Sequence, residues 1–109
     1  MDRLAHEVCK ITVEGDNTNV VFADSDADAE NSAHLFEFLL RQQIDEPTNL
    51  VLDLRNATRL SSAMVGEIFR LSKLSRSMGK NVRLVNISPT VCQSLTIMQM
   101  NRLAILESQ

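Results

Sequence analysis

The sequence predicts an α/β fold in which a mixed β-sheet packs against helices in the order ββαβαβαβ. Three observations predict it. A β-α-β unit spans Asn49 to Ile87, a pair of alternating segments joined by a turn cluster precedes it, and a capped helix with an apolar strand follows it. Two strands joined by a helix within one sheet almost always run parallel with a right-handed crossover, whereas a tight turn pairs its strands antiparallel.

Val8-Cys9-Lys10-Ile11-Thr12-Val13 alternates loosely. It is followed by the turn cluster Gly15-Asp16-Asn17-Thr18 and by Asn19-Val20-Val21-Phe22-Ala23, which together read as a hairpin. After the polar segment 24–28, apolar positions recur at Ala29, Ala33, Phe36 and Leu40. Leu35 and Leu39 widen that stripe, so an amphipathic helix is expected over 29–43. Residues 44–48, with Pro47, form a linker into the strand Leu50-Val51-Leu52-Asp53-Leu54. Ser61-Ser62 then opens a second helix that ends before Gly79 and buries Met64, Val65, Ile68, Leu71 and Ser72. Val82-Arg83-Leu84-Val85-Asn86-Ile87 is the next strand. Ser88-Pro89 starts a third helix, because serine caps orphan N–H groups and proline carries the φ of the first helical position. Val91, Cys92, Leu95 and Met98 are its expected inner face, Asn101 its left-handed terminator, and Leu103-Ala104-Ile105-Leu106 the last strand.

The 109 residues suffice for one domain with its own core, and 44% hydrophobic with 23% charged residues is an ordinary globular composition. A net charge of -3 supplies no basic excess for phosphate backbones, and four Phe with no Trp or Tyr offer few stacking platforms. Nucleic acid is therefore not an expected partner. No run approaches the ~18 apolar residues of a membrane span, so direct membrane insertion is not expected. The first apolar stretch is short, interrupted by Lys10 and preceded by Glu7, unlike a signal peptide. Cys9 and Cys92 are far apart and lack a CxxC or Cys/His context, so a cytoplasmic protein is expected, with Cys92 a buried, unreactive thiol. The oligomeric state is left open.

The β-α-β unit places Ser61 and Ser62 outside the carboxyl end of a strand, where α/β sheets commonly keep function. Backbone N–H groups and the positive end of a helix dipole converge there, so the turn suits a phosphate, bound or attached. Either serine equally serves as a plain N-cap, and the two roles are compatible. Asp24, Asp26 and Asp28 share the spacing of a calcium loop, but Ala29 stands where Gly is needed and Leu35 where a bidentate Glu is needed. They suit the start of the first helix instead, and no metal site is expected. Arg70, Lys73 and Arg76 recur along the outer side of the second helix, while Arg55 and Arg59 approach its start. Such a stripe is a solvated face or, beside the serine turn, a surface that steers an acidic partner. Catalysis has little support: no Gly-x-Ser-x-Gly surrounds Ser61, no histidine follows it, and His6 and His34 have no metal-ligating neighbours. His34 is expected on the surface. Gly15, Gly66 and Gly79 are too dispersed to cradle a nucleotide phosphate, so no cofactor is expected.

The Val51-Leu52-Asp53-Leu54 strand, the Ser61-Ser62 turn, the helix ending before Gly79, the strand Val82 to Ile87 and the Ser88-Pro89 helix together resemble STAS domains. These are domains of sulphate transporters and bacterial anti-sigma factor antagonists, and the resemblance covers nearly the whole chain. Its turn motif, Asp-Ser-Ser/Thr-Gly plus an aliphatic residue, corresponds to Leu60-Ser61-Ser62-Ala63-Met64, with Leu60 and Ala63 departing from it. Gly-Glu-Leu-Asp before the first helix corresponds to Ser25-Asp26-Ala27-Asp28, with Asp28 matching. The resemblance implies a non-enzymatic protein-binding module, phosphorylated at Ser61 (alternatively Ser62) by an anti-sigma factor that is itself a serine kinase and that brings the ATP. It also implies a partner-binding face including Asp28, Thr58, Arg59, Leu60, Ser61, Ser62, Ala63, Met64, Glu67 and Arg70. An accessory or scaffold STAS domain, docking without a switch, is the alternative.

Overall fold

Short β-branched and apolar strands alternating with amphipathic helices bury themselves by stacking helices on one face of a sheet, and the chain does this. The computed structural model describes residues 9–22, 29–56 and 61–108. Its elements are β1 (Cys9–Glu14), β2 (Asn17–Phe22), α1 (Ala29–Asp45), β3 (Asn49–Asp53), α2 (Ser62–Ser77), β4 (Val82–Ile87), α3 (Pro89–Ile97), a 3-10 turn (Met100–Arg102) and β5 (Ile105–Ser108). The five strands lie in chain order across one sheet. β1 pairs antiparallel with β2, and every later pairing is parallel. This is the expected ββαβαβαβ mixed sheet.

Gly15 occupies the first position of the two-residue β1–β2 turn with φ +59°. Glycine adopts that left-handed angle without a Cβ penalty, and the turn sets the pairing of Glu14 with Asn17. Thr18, Val20 and Phe22 of β2, Leu50 and Leu52 of β3, and Val82 and Leu84 of β4 all point to one face and are buried. Leu35, Phe36 and Leu39 of α1, Met64, Val65, Ile68 and Leu71 of α2, and Val91 and Leu95 of α3 join the same apolar cluster. The core thus lies between the helices and one side of the sheet, as right-handed crossovers stepping in one direction require. The period of two would turn Ile87 outward. A register shift between Leu84 and Ile87, with Asn86 at φ 55°, returns it to the core.

α2 is bounded as its sequence indicates. Ser61 is its N-cap, and at the other end Gly79 (φ +76°) donates its N–H to the carbonyl of Arg76 while Lys80 donates to that of Ser75. Those two bonds form a Schellman motif and satisfy carbonyls that the helix itself leaves open. Ser88 caps α3, with Val91 N–H donating to its Oγ at 3.2 Å and Pro89 at the first position.

Several expectations need correction. β2 starts at Asn17 rather than Asn19, because Asn17 and Thr18, expected in the turn, pair with Glu14 and Val13 and only Gly15 and Asp16 make the turn. α1 continues to Asp45 rather than ending at Gln43, because Gln43 faces inward and is 1% exposed. Asn101 does not terminate α3; Gln99 takes the left-handed angle, φ 64°, and Asn101 lies in the 3-10 turn. That turn carries Met100 fully into the core, while Met98, expected inside, is 43% exposed. β5 begins at Ile105 rather than Leu103, because Leu103 and Ala104 both donate to the carbonyl of Met100 and close the turn. Cys92, expected buried, is only half-buried against the core and carries a free thiol. His34 is exposed, as expected. Val8, Ala23, the calcium-loop positions Asp24, Asp26 and Asp28, and the side chain of Cys9 lie outside what is described.

Candidate functional site

The candidate site is the start of α2, beyond the carboxyl end of β3. Ser61 has extended backbone angles, φ -70° and ψ 158°, and its Oγ accepts a hydrogen bond from Met64 N–H at 3.2 Å. Ser61, Ser62 and Ala63 are exposed. The first turn of α2 contains no acidic residue, so nothing there offsets the positive end of its dipole. A hydroxyl on a helix N-terminus, open to solvent, is thus present at the expected place, and Ser61 rather than Ser62 is the cap.

The other expected site residues divide into three groups. Asp28, Thr58, Arg59 and Leu60 lie outside the described residues. Met64 is buried at 6% exposure, so it serves the core and reaches the site only through its backbone N–H. Glu67 and Arg70 form an ion pair at 3.1 Å one turn further along α2. Arg70, Lys73 and Arg76 are all exposed. Arg55 does not run toward the start of α2 but folds back onto Asp53.

That contact belongs to a polar lock that sequence reasoning missed. The side chain of Asp53, at the end of β3, is 9% exposed. Its Oδ1 accepts from the backbone N–H of Arg55 at 3.0 Å. Its Oδ2 accepts from Arg55 Nε at 2.9 Å and Nη2 at 2.5 Å, and from Asn86 Nδ2 at 3.0 Å. Burial by itself raises the carboxyl pKa, but the hydrogen bonds from Arg55 and Asn86 and the guanidinium charge outweigh it. The result lies below the ordinary carboxylate range. The same contact raises the guanidinium pKa of Arg55 through its hydrogen bond to Asp53. Asn56 Nδ2 also donates to the carbonyl of Phe22 at 2.8 Å, tying the segment to the end of β2. The loop leading to Ser61 therefore leaves the sheet from a fixed base. An Asp two residues before an Arg at the end of an apolar strand was the available signal.

The arrangement presents a solvent-exposed hydroxyl at a helix N-terminus. No cluster of His, Cys, Asp or Glu able to hold a metal occurs among the described residues. Among those residues, too, no helix is long and apolar enough to cross a membrane.

A mixed sheet in this order with helices on one face, and a serine turn at the end of β3, defines a family that sequence comparison also identifies. The STAS domain model matches residues 10–108, and the chain belongs to the STAS domain family. Among solved structures it is similar to a candidate anti-sigma factor antagonist from Thermotoga maritima, with TM-score 0.78 and 16% identity over 96% of this chain and 90% of that one. An anti-sigma factor antagonist (STAS) domain protein from Planctomyces limnophilus superposes with TM-score 0.76 and 16% identity, covering 93% and 90%. A serine-to-glutamate variant of RsbS from Moorella thermoacetica gives TM-score 0.78 and 20% identity, covering 93% and 86%. At these identities the similarity is one of fold. Among curated proteins none matches the chain in sequence.

Proposed function

We propose that this chain is a protein-binding regulatory module of the anti-sigma factor antagonist type, in which the β3–α2 turn and the outer face of α2 dock an anti-sigma factor. Ser61 is the residue this partner, a serine kinase, modifies, with Ser62 as the alternative. The observation that carries the reading is the exposed run Ser61-Ser62-Ala63 at the N-terminus of α2, whose first turn holds no acidic residue. The solved structures that share this fold include proteins described as anti-sigma factor antagonists, which supports the same class. On this reading the chain is a single cytoplasmic domain that catalyses nothing, and ATP belongs to the partner. Asp28, Thr58, Arg59 and Leu60 would complete the docking face around the serines, with Glu67 and Arg70 at its edge.

A phosphate adds about -1.5 to -2 charges at the centre of that face. The helix N-terminus tolerates it, but an interface shaped around a hydroxyl must desolvate it, at a cost of ~2 to 5 kcal/mol, or ~30-fold to several thousand-fold in affinity. Ser61→Asp is therefore expected to release an anti-sigma factor kinase that the unmodified chain binds, whereas Ser61→Ala keeps binding and blocks ATP-dependent release. Calorimetry with mass spectrometry of the ATP-treated mixture reads both. Equal affinity of the two variants, with no phosphate on Ser61 or Ser62, rules the switch out. It would favour the second reading, a STAS scaffold domain that docks without a switch, which Leu60 and Ala63 support by replacing the family's Asp and Gly.

A further inference from the structure

At the opposite end of α2 from Ser61, a cavity of about 250 Å³ opens between the last turn of the helix, the start of β4 and the segment from the 3-10 turn into β5. Arg76, Lys80 and Arg102 line it together with Asn81 and Asn101, and among the described residues no carboxylate does. In a chain of net charge -3 that concentration of cations is unexpected. The pairing of the arginines sharpens it. Arg41, Arg55, Arg70 and Arg83 each have a carboxylate partner, in Glu37, Asp53, Glu67 and Glu107. Among the described residues, Arg76 and Arg102 have none, and both face this cavity.

Compensation of the helix dipole does not explain the cluster. Arg76 lies in the last turn of α2, where a cation is favourable. Its Nη1, however, donates across to the backbone carbonyl of Arg102 rather than to its own helix end. The carbonyls of Leu74, Ser75 and Arg76 there already accept from Met78, Gly79 and Lys80. The Arg102 contact fixes the guanidinium at the cavity and leaves most of its N–H donors free. The backbone N–H groups of Lys80, Asn81, Arg102, Leu103 and Ala104 have partners, so recognition there falls to side chains: two guanidinium forks, one ammonium and two amides. Guanidinium forks match the oxygens of a phosphate. The volume lies just below the usual range for small-molecule sites, which fits a compact ligand.

We propose that this cavity is a binding site for a small, soluble phosphate-bearing anion, held by Arg76, Lys80 and Arg102. It is separate from the serine turn and stands whether or not Ser61 is a switch. The test is heteronuclear NMR titration of the full chain with inorganic phosphate and with glycerol 3-phosphate at constant ionic strength. Saturable shifts are expected at the amides of 80–82 and 101–105, with a Kd of about 1 mM or tighter for at least one probe. Lys80→Gln combined with Arg102→Gln should weaken binding at least about tenfold, since each removes a charge-assisted hydrogen bond. Arg76→Gln should act in the same direction, whereas Lys73→Gln, outside the cavity, should leave binding unchanged. Thermal melts of each variant separate loss of ligand from loss of fold. Shifts that never saturate and spread equally over Lys73 and Arg41, or unchanged affinity in the folded double variant, would overturn the site. So would sedimentation with phosphatidic acid vesicles in phosphatidylcholine without any binding of the soluble probes, because the ligand would then be a lipid surface.

Discussion

Replacing Asp53 tests whether the loop that delivers Ser61 is held by the lock at the end of β3. In Asp53→Ala the backbone N–H of Arg55 and the Nδ2 of Asn86 lose an acceptor in part-buried surroundings. A hydrogen bond to a charged group contributes about 1.5–3 kcal/mol when buried, and an orphaned donor costs about 1–3 kcal/mol. The guanidinium bonds count for little, because the Arg55 side chain is 58% exposed and water replaces them. The expected loss is therefore roughly 2–3 kcal/mol for Asp53→Ala and roughly 1–2 kcal/mol for Asp53→Asn, whose amide keeps one acceptor oxygen and turns its NH2 toward other donors. At about 4–8 °C per kcal/mol, both are measurable as melting shifts. The pH dependence carries the sharper test. The folded carboxyl pKa lies below its ordinary value of 3.8, so its contribution is fully present above that value and is lost as pH falls through the folded one. Urea unfolding of wild type and Asp53→Asn from pH 7 downward should show a gap that is constant near neutrality and narrows below about pH 4. An unchanging gap down to pH 2.5, or none at pH 7, would refute the lock.

Three further outcomes are expected. Gln43, 1% exposed, donates to Thr48 O and Ser75 Oγ at 2.7 Å each and accepts from Thr48 N–H at 2.8 Å, so Gln43→Ala should lower stability by roughly 2–4 kcal/mol in chemical denaturation. Ser88→Ala removes the α3 cap and should cost about 1 kcal/mol, and Ser88→Gly less; equal stability of Ser88→Ala and wild type would contradict the cap. Cys92 packs half-buried against the core, so thiol labelling of the native protein should be several times slower than of the urea-unfolded chain, and equal rates would contradict that packing.

The sequence carried β4, the start of α3 and both ends of α2 because their signals are local. β4 is a β-rich run with firm boundaries, Ser88-Pro89 fixes a cap and a first helical residue, and Ser61 and Gly79 supply the two chemistries that helix ends need. The segment from Met98 to the start of β5 was misplaced by two residues for the opposite reason. Nothing in Gln99 announces a left-handed angle, and an apolar period continued through Met98 looks as plausible as the Met100 that the core takes. Gln43 shows a related failure. It falls on the inner stripe one turn after Leu39 and Leu40, but its polarity reads as a helix end until its three partners are seen. The Asp53 lock joins residues from two strands, and the unpaired arginines of the cavity are recognisable only once the other arginines are seen paired. Both depend on tertiary proximity.

The two ends of α2 also differ in how they can respond to a ligand. At the C-terminal end the Schellman bonds, the Gln43–Ser75 contact and the Arg76–Arg102 contact hold the helix to α1 and to the segment before β5. At the N-terminal end the Ser61 cap and the bonds of Asp53 and Asn56 hold the base of the loop, while the serine side chains face solvent. A phosphate on Ser61 adds acceptors where N–H groups already point, so it changes what a partner meets more than it changes the helix. The 16 residues of α2 separate that point from the cavity by about 24 Å, roughly three Debye lengths at physiological salt. Direct repulsion between a bound anion and a phosphoserine is therefore largely screened. Along its inner face the helix is anchored by the buried Val65, Ile68 and Leu71. On the two proposals made above, the serine turn and the basic cavity would then act independently, the first toward a protein surface and the second toward a small anion.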